Sequence, residues 1–132
     1  MNLYEIKIEH YAPKDSQQGI LTYLVANSDE DVYEWLKSDP KLDRDRWVYT
    51  PYKDNEDDEN TYDIYGENYE VIGEESYKER MIRLRGEMND ESVELSDLYY
   101  GKTLYGWNLV KEDIKEEEIG SVKRLGISIH TC

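Results

Sequence analysis

Carboxylates are the chemistry this sequence supplies most densely. Between positions 54 and 75 it places ten of them (Asp54, Glu56, Asp57, Asp58, Glu59, Asp63, Glu67, Glu70, Glu74 and Glu75) without one Lys or Arg. Duplex DNA carries about one charge per 1.7 Å of axis, so closely spaced acids on a hairpin can imitate its phosphates and compete for a basic channel. Tyr49, Tyr52, Tyr62, Tyr65 and Tyr69 lie among or beside these acids, and tyrosine is enriched where proteins meet proteins. The candidate partner-binding residues are therefore Asp54, Glu56, Asp57, Asp58, Glu59, Asp63, Tyr65, Glu67, Tyr69 and Glu70. The plainer alternative is a solvated loop whose charge serves solubility.

A second set is His10, His130 and Cys132, which are the two histidines and the single cysteine of the chain. Residues i and i+2 of a strand point the same way, so His130 and Cys132 can offer an imidazole and a thiolate to one zinc ion. His10 would be the third metal ligand and a carboxylate or water the fourth. That site requires the first strand and the C-terminal tail to end at the same sheet edge. The alternative is a frayed terminus with an incidental thiol.

Other chemistry is poorly represented. The sequence contains no Gly-x-Ser-x-Gly elbow, no His-Glu-x-x-His helix and no phosphate-binding glycine loop, so no enzymatic activity is expected. Lys78, Arg80, Arg83 and Arg85 form the basic cluster of the chain. Amid so many acids these cations are expected in ion pairs rather than on phosphate.

The elements that position these residues can be read from periodicity. Tyr4, Ile6, Ile8 and His10 alternate with Glu5, Lys7 and Glu9, predicting a strand over 3–11. Ile20 to Ala26 predicts its hairpin partner. Ser28 followed by Asp29, Glu30 and Asp31 predicts a capped helix over 29–38, packed through Val32, Trp35 and Leu36. Trp47 to Tyr49 reads as a strand. Tyr62 and Ile64, then Tyr69 and Val71, alternate around Gly66 as a hairpin. Tyr77, Met81 and Leu84 predict a helix over 76–85 with Gly86 as its C′ residue. Residues 87–98 fit either helix or loop. Thr103, Tyr105, Trp107 and Leu109 predict a strand over 102–110, and Ile114, Ile119, Val122 and Leu125 a helix over 113–125. The fold class expected is α+β: one domain over 1–132, an antiparallel sheet of about five strands with two or three helices packed on one face.

Composition narrows the partners. Sixteen Lys and Arg stand against 31 Asp and Glu, a net charge of −15. Nucleic acid and anionic membrane would be repelled, and a basic partner is favoured. Phe is absent, so 13 Tyr and three Trp supply the large rings. The N-terminal MNLYEIKIEHY lacks a basic region followed by an apolar one, which leads one to expect a cytoplasmic protein.

The stretches YEIKIEHYAPKDSQQGILTYLVANSDEDVYEWL and SYKERMIRLRGEMNDESVELSDLYYGKTLYGWNLVKEDIKEEEIGSVKRLG resemble small acidic proteins carried by phages and mobile elements of Gram-positive bacteria. That setting includes anti-CRISPR proteins, which inhibit RNA-guided type II nucleases. The resemblance implies a basic type II CRISPR effector nuclease as partner, bound so that DNA loading is blocked. It implies no catalytic residue. The alternative is a phage-encoded accessory or structural interaction protein with no nuclease target.

Overall fold

The computed structural model describes residues 1–10, 18–38, 61–87 and 103–132. In chain order the elements are β1 (Asn2–His10), β2 (Gln18–Ala26), α1 (Asp29–Lys37), β3 (Thr61–Tyr65), β4 (Val71–Ser76), α2 (Tyr77–Leu84), β5 (Thr103–Lys111), α3 (Glu116–Arg124) and β6 (Ile129–Thr131). The fold is α+β, as the alternating and helical periods imply.

β1 is the hub of a four-stranded sheet ordered β5-β1-β2-β6. It pairs antiparallel with β2, from Asn2↔Ala26 to His10↔Gln18, and antiparallel with β5. Because strand residues alternate between faces, Tyr4, Ile6 and Ile8 fall on one side with Leu24, Ala26, Tyr105 and Trp107. α1 and α2 close this face through Val32, Tyr33, Leu36, Tyr77 and Met81, forming one buried cluster. Trp107, Tyr4, Tyr33 and Tyr105 are its largest fully buried side chains, so tyrosine and tryptophan take the place of the missing phenylalanine. Their polar edges must then find partners inside.

The cap read at Ser28 is present. Ser28 caps α1 by accepting from the backbone N–H of Asp31 at 3.2 Å. Ser76 and Glu79 form a reciprocal capping box at the start of α2, each side chain accepting from the other's backbone N–H at 3.1 Å.

Three expectations require correction. The sheet is not one antiparallel array. β6 joins parallel to β2, and β3–β4 is a separate two-stranded ribbon. Nor do all helices share a face. α3 contributes Ile119 to a second cluster with Leu3, Val25 and Ile114 on the opposite side of the sheet. On α1, Tyr33 is fully buried beside Val32 and Leu36, whereas Trp35 is only partly buried. At the end of α2 Gly86 is the C′ residue, as read from the sequence, directly after Arg85, the left-handed C-cap with φ 53. Gly86 also has positive φ, but its lack of a side chain answers a closer demand: a Cβ there would lie 2.0 Å from the carbonyl oxygen of Tyr105. The strand expected at Trp47–Tyr49 and the stretch 88–98 lie outside the described residues. Among the described residues no helix is long and apolar enough to cross a membrane.

Candidate partner-binding surface

The described part of the acidic stretch, residues 61–75, forms a hairpin with two different faces. Tyr62 and Ile64 of β3 are half-buried toward α2: the Tyr62 ring lies 6.2 Å from that of Tyr77, and the Arg80 guanidinium lies 5.7 Å above Tyr62. Asp63 and Tyr65 are exposed, as are Glu67, Tyr69 and Glu70 in the turn and Val71, Ile72 and Glu74 of β4. Of the ten candidate contact residues, the fold thus brings Asp63, Tyr65, Glu67, Tyr69 and Glu70 together at one end of this hairpin. Asp54, Glu56, Asp57, Asp58 and Glu59 lie outside the described residues.

Glu70 has a structural task within that group. Its Oε2 accepts from the Asn68 N–H at 2.9 Å, while its carbonyl accepts from the Gly66 N–H at 2.8 Å. A Cβ on Gly66 would fall 2.5 Å from Glu70 Oε1, so glycine at 66 makes room for the folded-back carboxylate. Glu75 is not on the exposed face at all. It is buried and held by both Arg83 nitrogens, Nε to Oε2 at 3.0 Å and Nη2 to Oε1 at 2.6 Å.

The basic cluster is spent inside the fold. Lys78 of α2 bridges to Glu30 at 2.9 Å and Glu34 at 2.7 Å on α1, and those hydrogen bonds push its ammonium pKa up. Arg83 is likewise raised by its hydrogen bond to Glu75. Arg85 pairs with Asp29 at 3.0 Å. By contrast, Asp63, Glu67 and Glu74 have no cationic partner among the described residues. The outer face of the ribbon therefore carries unneutralised charge.

The proposed metal ligands do not converge. β6 runs parallel to β2 and therefore antiparallel to β1, so His130 sits in register with Leu24, opposite Tyr4. His10 is six positions farther along, paired with Gln18, which at a strand rise of about 3.4 Å separates the two by about 20 Å. Zinc–nitrogen bonds are about 2 Å long, so one ion cannot take both histidines. His130 and Cys132 do share a side, facing α1. The His130 ring packs 5.4 Å from the Trp35 ring, and the Cys132 thiol lies 3.7 Å from the Asp31 carbonyl oxygen. Desolvation there, followed by the charge of Asp31, pushes the thiol pKa up, disfavouring the thiolate that zinc needs. Among the described residues no group of three His, Cys, Asp or Glu side chains is placed to hold a metal.

Across all 132 residues the chain is 61% identical to the SPbeta prophage-derived uncharacterized protein YoqY of Bacillus subtilis (strain 168), and the match also covers that protein completely. The chain belongs to the YoqY family. That relative is prophage-derived and comes from a Gram-positive bacterium, in agreement with the resemblance drawn from the two long stretches. No protein-family model and no solved structure matches the chain.

Two exposed residues of this YoqY-family hairpin escaped the sequence reading. Val71 is 55% and Ile72 64% exposed. Alternation marked Val71 only as a strand residue, and both would ordinarily be assigned to a core. The ladder shifts register between Ile64 and Tyr65, a bulge that period-two patterning does not reveal.

Proposed function

We propose that this chain is a prophage-encoded acidic binding protein that docks on a basic, nucleic-acid-handling protein through the outer face of β3–β4. Its finer assignment is an anti-CRISPR-type inhibitor of an RNA-guided type II nuclease that obstructs DNA loading. The observation that carries the reading is the unequal treatment of charge. The α2 cations Lys78 and Arg83, and Arg85 at its cap, are paired with Glu30, Glu34, Glu75 and Asp29, whereas Asp63, Glu67 and Glu74 are exposed on the hairpin with no cationic partner among the described residues. A Lys- and Arg-lined channel that must hold DNA is complementary to such a face.

Target-DNA binding by the guide-loaded nuclease, measured with increasing amounts of this protein, tests the assignment. Inhibition is expected when the protein is added before DNA, with relief as salt rises from low to moderate, because exposed charges are screened. Undiminished DNA loading at every salt concentration would remove the nuclease assignment. Binding to a host protein that ignores salt would instead favour an accessory protein docking through apolar contacts, a reading supported by the exposed Val71 and Ile72.

A further inference from the structure

Charge alone does not account for the turn end of the ribbon. Tyr65 (61% exposed) and Val71 (55%) face each other across the ladder, Ile72 (64%) follows, and Tyr69 (88%) stands in the turn. A cluster of four such side chains on a two-stranded ribbon is an exposed apolar patch of the kind that marks a contact site. Tyr69 also adopts left-handed backbone, φ 59, which is disfavoured for a residue with a Cβ. Backbone bonds between Gly66 and Glu70 and between Tyr69 and Gly66, together with the Glu70 carboxylate, hold that turn. The ring is thus placed in solvent before any partner arrives, reducing the ordering cost of docking.

The rim identifies the occupant. Asp63, Glu67 and Glu74 surround the patch, and the whole chain carries −15, so a second copy would bring like charges together. Nucleic acid is repelled for the same reason. A protein surface with Lys and Arg around an apolar recess is attracted by the rim and filled by the rings, and guanidinium groups stack on tyrosine faces. We infer that the β3–β4 turn is an anchor, in which Tyr69, supported by Tyr65, Val71 and Ile72, enters an apolar recess rimmed by cations on a nucleic-acid-handling protein. This rests on the proposed basic partner but adds a division of labour: the acids set the association rate, and Tyr69 sets the residence time.

Benzoylphenylalanine at position 69, irradiated in the lysogenic host, is the direct test, with the same photo-crosslinker at Leu125, 78% exposed beyond α3, as control. Position 69 is expected to capture a Lys- and Arg-rich peptide of a nucleic-acid-handling protein, and position 125 is not. Capture at 69 no stronger than at 125, or capture of a second copy of this chain, would overturn the anchor. With the captured protein purified, Tyr69→Ala should raise the dissociation rate about tenfold at unchanged salt dependence, as loss of an aromatic hot spot does. The triple variant Asp63→Lys, Glu67→Lys, Glu74→Lys should slow association. An unchanged dissociation rate in Tyr69→Ala beside slowed association in the triple variant defeats the anchor and leaves the basic-partner reading standing. The reverse pattern defeats the charge-based reading and with it the cationic rim of the recess, leaving Tyr69 as an apolar contact alone.

Discussion

Trp107 donates its indole N–H to Asp29 Oδ1 at 2.8 Å, and Arg85 Nε donates to the same oxygen at 3.0 Å. One carboxylate in the first turn of α1 thereby joins a buried ring of β5 to the cap of α2. Asp29→Ala would strand the indole N–H in a cluster where Trp107 is 1% exposed. A buried donor left unsatisfied costs about 1–3 kcal/mol, and loss of an acid from a helix start adds a few tenths. The variant should unfold at visibly lower urea, with Asp29→Asn intermediate because it keeps an acceptor.

Tyr77 predicts an alkaline limit. Its phenol is buried and donates to Glu87, and burial first, then the charge of Glu87, pushes its pKa well above the ordinary phenol value of about 10. Because the folded value is the higher one, the native state holds the proton more tightly. The contribution is complete below pH 10 and is lost as pH rises beyond the unfolded value. Urea midpoints should therefore fall above pH 10, and Tyr77→Phe should flatten that fall. Absorbance at 295 nm should show one phenol that ionises only on unfolding, absent in the variant.

The sequence disclosed most where a single local signal decided the outcome. Ser28 announced the cap of α1, and the alternation of Tyr4, Ile6 and Ile8 announced the face on which the core is built. It disclosed least where long-range pairing decided. Nothing in ISIHTC specifies parallel pairing with β2 rather than proximity to His10, because three residues carry no period long enough to choose a neighbour. Trp35 looked like core because it sits at helical spacing from Val32, yet one position's rotation gave the buried place to Tyr33. The acidic face of the hairpin was legible from composition, but the Arg83–Glu75 pair that removes one acid from it depends on how β4 meets α2.

That rotation of α1 can be measured. Leu36 is fully buried, and Leu36→Ala should destabilise by about 3 kcal/mol, within the range for emptied core sites. Trp35→Ala should cost about half of that or less, since the ring is already partly in water. Its distinctive effect should be local: with the His130 ring deprived of its neighbour, the backbone amides of β6 should exchange faster while those of β1 do not. Equal losses for the two variants would return Trp35 to the core.

The register also makes a prediction about metal. With His10 about 20 Å from His130 along the strands and the Cys132 thiol shifted up, Cys132→Ser should leave the melting temperature unchanged with or without added zinc. Zinc should not protect Cys132 from alkylation. A stoichiometric ion that departs in Cys132→Ser would mean that the tail repairs elsewhere than beside β2.

Tyr69 offers the sharpest separation of stability from binding. Its φ of 59 places a Cβ where left-handed backbone is penalised by about 1–2 kcal/mol, and at 88% exposure the ring recovers little of that by packing. Tyr69→Gly removes the penalty, while glycine's greater freedom in the unfolded chain returns about 0.5–1 kcal/mol of the gain. The net expectation is a variant more stable than the parent by up to about 1 kcal/mol, read from urea midpoints at constant m-value. The same variant should lose the long residence on its partner. A residue that weakens the fold while strengthening a contact is the pattern expected where backbone strain serves binding. If Tyr69→Gly is instead less stable than the parent, the ring is packing in the folded chain, and its prominence at the tip is structural rather than a provision for docking.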